Sequence, residues 1–272
     1  MREDAGLAQA DVVNRLDWSQ SKLIRIENGA VGLSVTDAKA LLSVYRAPED
    51  VSDELVALAR KSRVRTWWSQ YRDVLNAQYQ EFVGFEADAT RLRQFNPTII
   101  PGLLQAEPYV RALIPALVLS PLEPSTFDSL VEVRLRRQRE VLYGERPPEL
   151  TAVIDEAALR RPVGGLDAMR AQLSHLADLQ RDGTATIAIL PFAAGPHVGM
   201  QGAFSIMDFA DDADASVLFT ESAQGNMALR DKPEVITQYE AAFNRMLDQS
   251  IRGEAAAAFV RDIAAELTSV AT

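Results

Sequence analysis

The chain has 272 residues, 47% of them hydrophobic and 24% charged, which is the make-up of a folded globular protein and excludes disorder as its main state. It contains no cysteine and two histidines, His175 and His197, so disulfide frameworks, thiolate nucleophiles and Cys- or His-rich metal sites are excluded, and no cofactor is expected. A formal charge of −10 argues against a general polyanion binder, because nucleic-acid affinity rests on basic surface; any DNA contact has to be local.

The first residues, Met1, Arg2, Glu3 and Asp4, give no apolar leader, and Pro115 and Pro121 flank or break the longest apolar stretch. No membrane span and a cytoplasmic location are therefore expected. Residues 1–65 carry closely spaced helix signals and no strand pattern. Leu7, Val12 and Leu16 set an apolar face, and Asp17 falls where a turn must lie. Ser19 is a good N-cap for a second helix over 20–28, which Gly29 closes. Leu23 and Ile26 point inward with Trp18, leaving Gln20, Ser21, Ile24, Arg25 and Asn28 outward and Lys22 to one side. Ser34 caps a third helix through Leu41, Leu42 and Tyr45, and Pro48 breaks it. Ser52 or Asp53 opens a fourth helix toward Arg60, Lys61, Arg63 and Arg65.

Residues 66–272 read as a larger α+β domain. Trp67, Trp68, Tyr71, Tyr79, Phe82 and Phe85 suggest an aromatic-rich helix pair. Asn96-Pro97 and Ile100-Pro101-Gly102 punctuate the chain, and a helix over 128–142 carries Arg134, Arg136, Arg137 and Arg139 beside Val131, Leu135 and Leu142. After Pro147-Pro148 the period becomes that of strands, at 150–154, 184–190, 203–209 and 216–220, which make a small sheet. Leu166, Met169, Leu173 and Leu176 recur at helical spacing as a crossover helix, and 233–250 and 254–267 read as closing helices.

The strongest motif is the helix, tight turn, capped helix and glycine stop from Gln9 to Gly29. It fits a helix-turn-helix whose second helix lays its N-terminal side chains against base edges, and also a plain capped hairpin in a bundle. The segment from Leu7-Ala8-Gln9 through Leu16-Asp17-Trp18-Ser19-Gln20-Ser21-Lys22 to Asn28-Gly29 resembles the Cro/cI-like (XRE-type) helix-turn-helix. That resemblance implies a phosphate contact for Gln9, base or nearby phosphate contacts for Gln20, Ser21 and Lys22, and backbone support from Arg25 and Asn28. Further along, Trp67-Trp68, Gly84-Phe85-Glu86-Ala87, Ile100 to Ala106 with Tyr109, Arg134 to Gln138, Asp155 to Arg161, and Leu190-Pro191-Phe192 with Gly195 and His197 resemble the domain of unknown function of actinobacterial antitoxin-like regulators. The resemblance implies a regulator, acting as a homodimer on operator DNA, whose larger domain responds to a small-molecule effector or a small partner protein.

Two departures bear on that reading. Family members carry a full helix ahead of the motif, whereas only Met1 to Ala5 precede Gly6 here, so the bundle is expected to lack a wall against Leu23 and Leu41. Ala8 lacks a capping hydroxyl, Val13 stands at the helix crossing, and residues 1–46 balance six basic against six acidic side chains. The alternative is therefore a decayed head on a domain that binds or converts a small molecule. Glu156, His197 and Glu221 are the candidate pocket residues.

Asp208, Asp211, Asp212 and Asp214 miss the spacing of a calcium loop and read as a solvated turn. Asp155 and Glu156 suit ion pairing with Arg160 or Arg161 better than catalysis, and His197 reads as a loop histidine without an evident acid or serine partner. The arginines between 134 and 139 are expected to form a solvated helix side. The balance leans away from an enzyme.

Overall fold

The computed structural model describes residues 1–27, 33–61, 67–210, 215–222, 225–228 and 232–269, without the side chains at 25, 60, 61, 222, 225–228, 268 and 269. The chain divides into two compact units, Met1–Ser69 and Gln70–Thr272.

In the first unit, α1 (Gln9–Leu16) ends at Asp17, whose left-handed backbone (φ 52°) makes the tight turn. Ser19 caps α2 (Gln20–Glu27) by accepting from the Lys22 amide. Ser34 caps α3 (Val35–Tyr45) by accepting from the Asp37 amide at 3.0 Å. The fourth helix, α4 (Glu49–Lys61), opens directly after Pro48, earlier than Ser52 or Asp53, because Pro48 both stops α3 and offers its carbonyl to the Ser52 amide.

The expected missing wall is corrected. Leu23 is fully buried and Leu41 nearly so, packed with Val12 against Leu7, Val13, Leu16, Trp18 and Ile26. Residues 1–7 wind into turns, with the Leu7 amide donating to the Arg2 carbonyl, and this brings Leu7 onto the cluster.

Among the described residues, the second unit is built on one mixed sheet of six strands: β1 (Arg91–Asn96), β2 (Glu149–Asp155), β3 (Thr186–Leu190), β4 (Phe204–Asp208), β5 (Val217–Ser222) and β6 (Gly225–Ala228). Their order is β3-β2-β1-β4-β5-β6, parallel across β1, β2 and β3 and antiparallel from β1 through β4 and β5 to β6. The sequence expectation began the sheet only after Pro148; β1 corrects it and is a central strand. Its residues read Arg-Leu-Arg-Gln-Phe-Asn, so apolar alternation is interrupted by Gln94 and Asn96, both buried, and the pattern does not announce a strand. No strand was expected at β6 either.

Between Asn76, which caps its first turn, and β1 lies α5 (Ala77–Asp88). The first parallel connection runs through α6 (Glu107–Ala116) and α7 (Pro124–Leu142), and the second through α8 (Glu156–Arg160) and α9 (Gly165–Arg181); α10 (Pro233–Gln249) and α11 (Gly253–Ser269) close the chain. The aromatic stretch expected as a helix pair is a short 3-10 turn at Trp67–Tyr71 followed by α5.

Side-chain alternation assigns the two faces of the sheet. Phe95, Val153, Ala188, Phe204, Ile206 and Leu218 pack with Ile236, Phe243 and Met246 of α10. On the other face Phe219 meets the rings of Phe82 and Phe85 from α5. The exposed side of β3 is covered at one point, where Ile189 and Ile251 exchange backbone hydrogen bonds.

Candidate functional site

In the first unit the turn at Asp17 and the Ser19 cap aim the first residues of α2 outward. Gln20 and Ser21 are exposed, and Ile24 is 37% exposed on the same side, while Leu23 and Ile26 turn inward. Lys22 is half-buried: its Nζ lies 2.7 Å from Asp37 Oδ1 and 3.8 Å above the Trp18 ring. Gln9 donates through Nε2 to Glu27 Oε2 at 2.7 Å, and Arg2 Nε donates to Glu27 Oε1 at 2.6 Å. Burial opposes the charge of Glu27, but the bonds from Arg2 and Gln9 prevail and hold its carboxyl below the ordinary range. The Arg25 side chain and Asn28 lie outside the described residues, as do Gly29 and the side chains of the Arg60 to Arg65 cluster. Ala8 starts α1 without a hydroxyl, and its amide is satisfied instead by Asp11 Oδ2 at 2.9 Å. Residues 1–69 hold ten basic and ten acidic side chains, so the whole formal charge of −10 falls on residues 70–272.

In the second unit the strand directions place the ends of β1, β2, β3 and β5 along one edge of the sheet, the edge at which open parallel sheets bind ligands. Asp155 ends β2, caps α8 by accepting from the Ala157 amide at 2.8 Å, and faces His197 Nε2 through its other oxygen at 3.3 Å. The other ring nitrogen of His197, Nδ1, is buried and has no hydrogen-bond partner among the described residues. Gly199, two residues on, lets the backbone approach the Phe95 ring so closely that a Cβ there would stand 2.2 Å from it. Both oxygens of Glu156 are engaged, one by Arg160 Nε at 2.6 Å and one by the Phe192 amide at 2.8 Å. Asp155, Glu156 and His197 therefore come together. Glu221 does not join them: it sits on β5, three strands from β2, a separation of roughly 14 Å at ordinary strand spacing. Glu221 is exposed, yet so much protein surrounds its carboxyl that desolvation pushes it up, against the pull of Arg134 and Arg137. Asp211, Asp212 and Asp214 lie outside the described residues, while Asp208 accepts from Arg93 at 2.8 Å and from Ser216 at 2.8 Å.

The densest polar construction lies around residues 100–106, and it corrects the expectation of a solvated arginine side on α7. Arg137 is buried. Its guanidinium takes both oxygens of buried Glu86 on α5, with Nη2 to Oε1 at 2.6 Å, and donates from Nη1 to the Tyr79 hydroxyl at 3.0 Å. Arg134 Nη1 donates to Gln105 Oε1 at 2.8 Å. Both guanidiniums crowd Gly102, where a Cβ would stand 2.9 Å from Arg134 Nη1 and 3.1 Å from Arg137 Nη1. Gln138 Nε2 donates to the carbonyls of Gly102 and Gln105, and buried Gln172 accepts from the Ala106 amide and donates to the Leu104 carbonyl, both at 2.7 Å. Tyr109 and Gln105 satisfy the Ile100 amide and carbonyl. Spacing along the chain carries no sign of this convergence. Only the quoted resemblance motifs, which contain Glu86, Gln105, Arg134 and Arg137, pointed at these positions.

A family model described as a domain of unknown function (DUF5753) matches residues 79–262, more than half of the chain. The chain belongs to the DUF5753 family. The matched span opens at Tyr79 and takes in Glu86, Gln105, Arg134 and Arg137, so the polar construction around residues 100–106 is part of the DUF5753 domain. A second family model, described as a helix-turn-helix domain, matches residues 1–55, from the N-terminal turns into α4. No curated protein and no solved structure matches the chain. The protein thus carries a helix-turn-helix domain ahead of a DUF5753 domain. No helix among the described residues is long and apolar enough to cross a membrane, and no cluster of His, Cys, Asp and Glu among them has the make-up of a metal site.

Proposed function

We propose that the protein is a cytoplasmic DNA-binding transcriptional regulator of the XRE type, antitoxin-like in organisation, acting as a homodimer on a two-fold operator. The supporting observation is that Gln20 and Ser21 stand exposed at the capped start of α2, straight after the turn at Asp17, inside the helix-turn-helix match. In this reading Gln20 and Ser21 meet base edges. Lys22 and Gln9 exchange Asp37 and Glu27 for phosphates, and Arg25 and Asn28 support the backbone contact. A Gln pairs with adenine through two hydrogen bonds, which gives about 1–3 kcal/mol of discrimination. The DUF5753 domain serves as the effector or partner domain, altering the spacing of the two heads when it is occupied.

The test is fluorescence anisotropy of the full chain on duplexes from its own upstream region and on shuffled duplexes, at low salt where electrostatics are strongest. Preferential binding that disappears in Gln20→Ala with Lys22→Ala supports the reading, and an unchanged affinity in that variant removes α2 from the reading role.

A second reading is favoured by the neutral charge of residues 1–69 and by the engagement of Gln9 and Lys22 with carboxylates. Here the head has ceased to bind DNA and the DUF5753 domain binds or converts a small molecule. Absence of binding to any duplex at low salt supports it.

A further inference from the structure

We infer that a groove beside α7 of the DUF5753 domain binds a small carboxylate with an apolar body, held by Arg134 and Tyr79. The inference deepens the effector role proposed for that domain and rests on it. A cavity of about 220 Å³ opens among Leu75, Tyr79, Ile114, Leu130, Val133 and Arg134, all within the second unit. That volume lies below the roughly 300 Å³ at which pockets for drug-sized ligands begin, so the occupant has the size of a small metabolite.

The walls are mostly aliphatic, with Asn76, Tyr79 and Arg134 as the polar members of the lining, and Tyr79 is tied to α7 through Arg137. Leu130, Val133, Arg134 and Arg137 share one face of α7 by helical spacing, so the apolar strip runs into the guanidiniums. Arg137 is neutralised by its two-oxygen contact with Glu86. Arg134 differs: its hydrogen-bond acceptor is the neutral amide of Gln105, and among the described residues no carboxylate lies within ion-pairing distance of it. Glu221 acts on Arg134 through space, and among the described residues no hydrogen bond joins the two. The Tyr79 hydroxyl accepts from Arg137, which leaves its own proton to donate; among the described residues it has no acceptor. Arg137 and Arg134 also hold the Tyr79 phenol below its ordinary range against the effect of burial, making it a stronger donor.

The chemistry that fits is one negative charge met by Arg134 and a Tyr79 hydroxyl, with an aliphatic or aromatic body against Leu75, Ile114, Leu130 and Val133. A small inorganic anion uses the charge and leaves the aliphatic wall unfilled. A neutral apolar molecule does the reverse.

Isothermal titration of the full chain, without DNA, tests this with hexanoate and phenylacetate as probes, their amides as neutral isosteres, and inorganic phosphate. Expected are binding of at least one of the two acids below 1 mM in Kd, at least tenfold weaker binding of its amide and of phosphate, and a loss of at least tenfold in Arg134→Gln that Arg134→Lys partly restores. Leu130→Trp, which fills the groove from a half-buried position, is expected to abolish binding with the far-ultraviolet spectrum unchanged, and it decides the matter should Arg134→Gln fail to fold. The inference is overturned by no heat from either acid up to 10 mM, by acid and amide binding within twofold of each other, by phosphate binding as tightly as the acids, or by undiminished binding in Leu130→Trp. Because no DNA is present, such a failure leaves the DNA-reading role standing, and a failure of DNA binding leaves this result untouched.

Discussion

The guanidinium of Arg137 on α7 grips the carboxylate of Glu86 on α5 inside the DUF5753 domain, with neither side chain reaching solvent to any extent. Burial works against the charge on Arg137, but Glu86 and Tyr79 more than offset it and raise its affinity for its proton. The pair fixes α5 to α7, and its neighbour Gln138 ties α7 to the segment that follows β1 by donating to the Gly102 carbonyl. Its net contribution against an apolar replacement is small, whereas the cost of breaking it is large.

Arg137→Met is therefore expected to destabilise the domain by about 3–5 kcal/mol, because it strands the Glu86 carboxylate in the interior. Glu86→Leu combined with Arg137→Met should recover most of that loss. Calorimetry of the single and double variants checks it, and a double variant as unstable as the single one contradicts the account.

Gly199→Ala places a methyl group 2.2 Å from the edge of the buried Phe95 ring, which is packed against Phe204 and cannot move aside freely. A loss of about 1–3 kcal/mol is expected, by overpacking alone, since Gly199 has no left-handed backbone to strain. Phe95→Leu in the same chain should return part of it; urea titration of both variants reads the effect.

Asp37 accepts from Lys22 at 2.7 Å. If α2 reads DNA, Lys22 has to leave Asp37 for its phosphate, and Asp37→Asn removes that competitor and its negative charge: affinity at low salt should rise several-fold, with the slope of log K against log salt little changed because the same phosphates are neutralised. An affinity unchanged within error removes Lys22 from the phosphate contacts.

The Glu27 carboxyl, held below its ordinary range, links the first turns to α2. A carboxyl with a lowered folded-state pKa contributes stability that is present above its unfolded value and is lost as the pH falls through its folded value. Protection of the Gln9–Leu16 amides in hydrogen exchange is thus expected to decline below about pH 4, and Glu27→Gln should flatten that decline. The magnitude is that of a surface ion pair, below about 1 kcal/mol.

The head was legible in the sequence because its determinants are local: Ser19 and Ser34 cap the helices that follow them, Asp17 supplies the left-handed turn, and three- and four-residue spacing sets Leu23 and Ile26 inward. Strands β2 to β5 were equally legible, since each apolar run is bounded on at least one side by proline, glycine or aspartate. What fills the space against Leu23 was not, because Leu7 reaches it through turns that carry no period. In the DUF5753 domain, β1 hides behind Gln94 and Asn96, whose burial depends on neighbours more than fifty residues away in β2. Arg134 and Arg137 look alike on a helical wheel. Only the folded chain makes them different, bringing the Glu86 carboxylate to one from α5 and the neutral Gln105 amide to the other, because charge compensation is a property of three-dimensional proximity and leaves no mark on spacing along the chain.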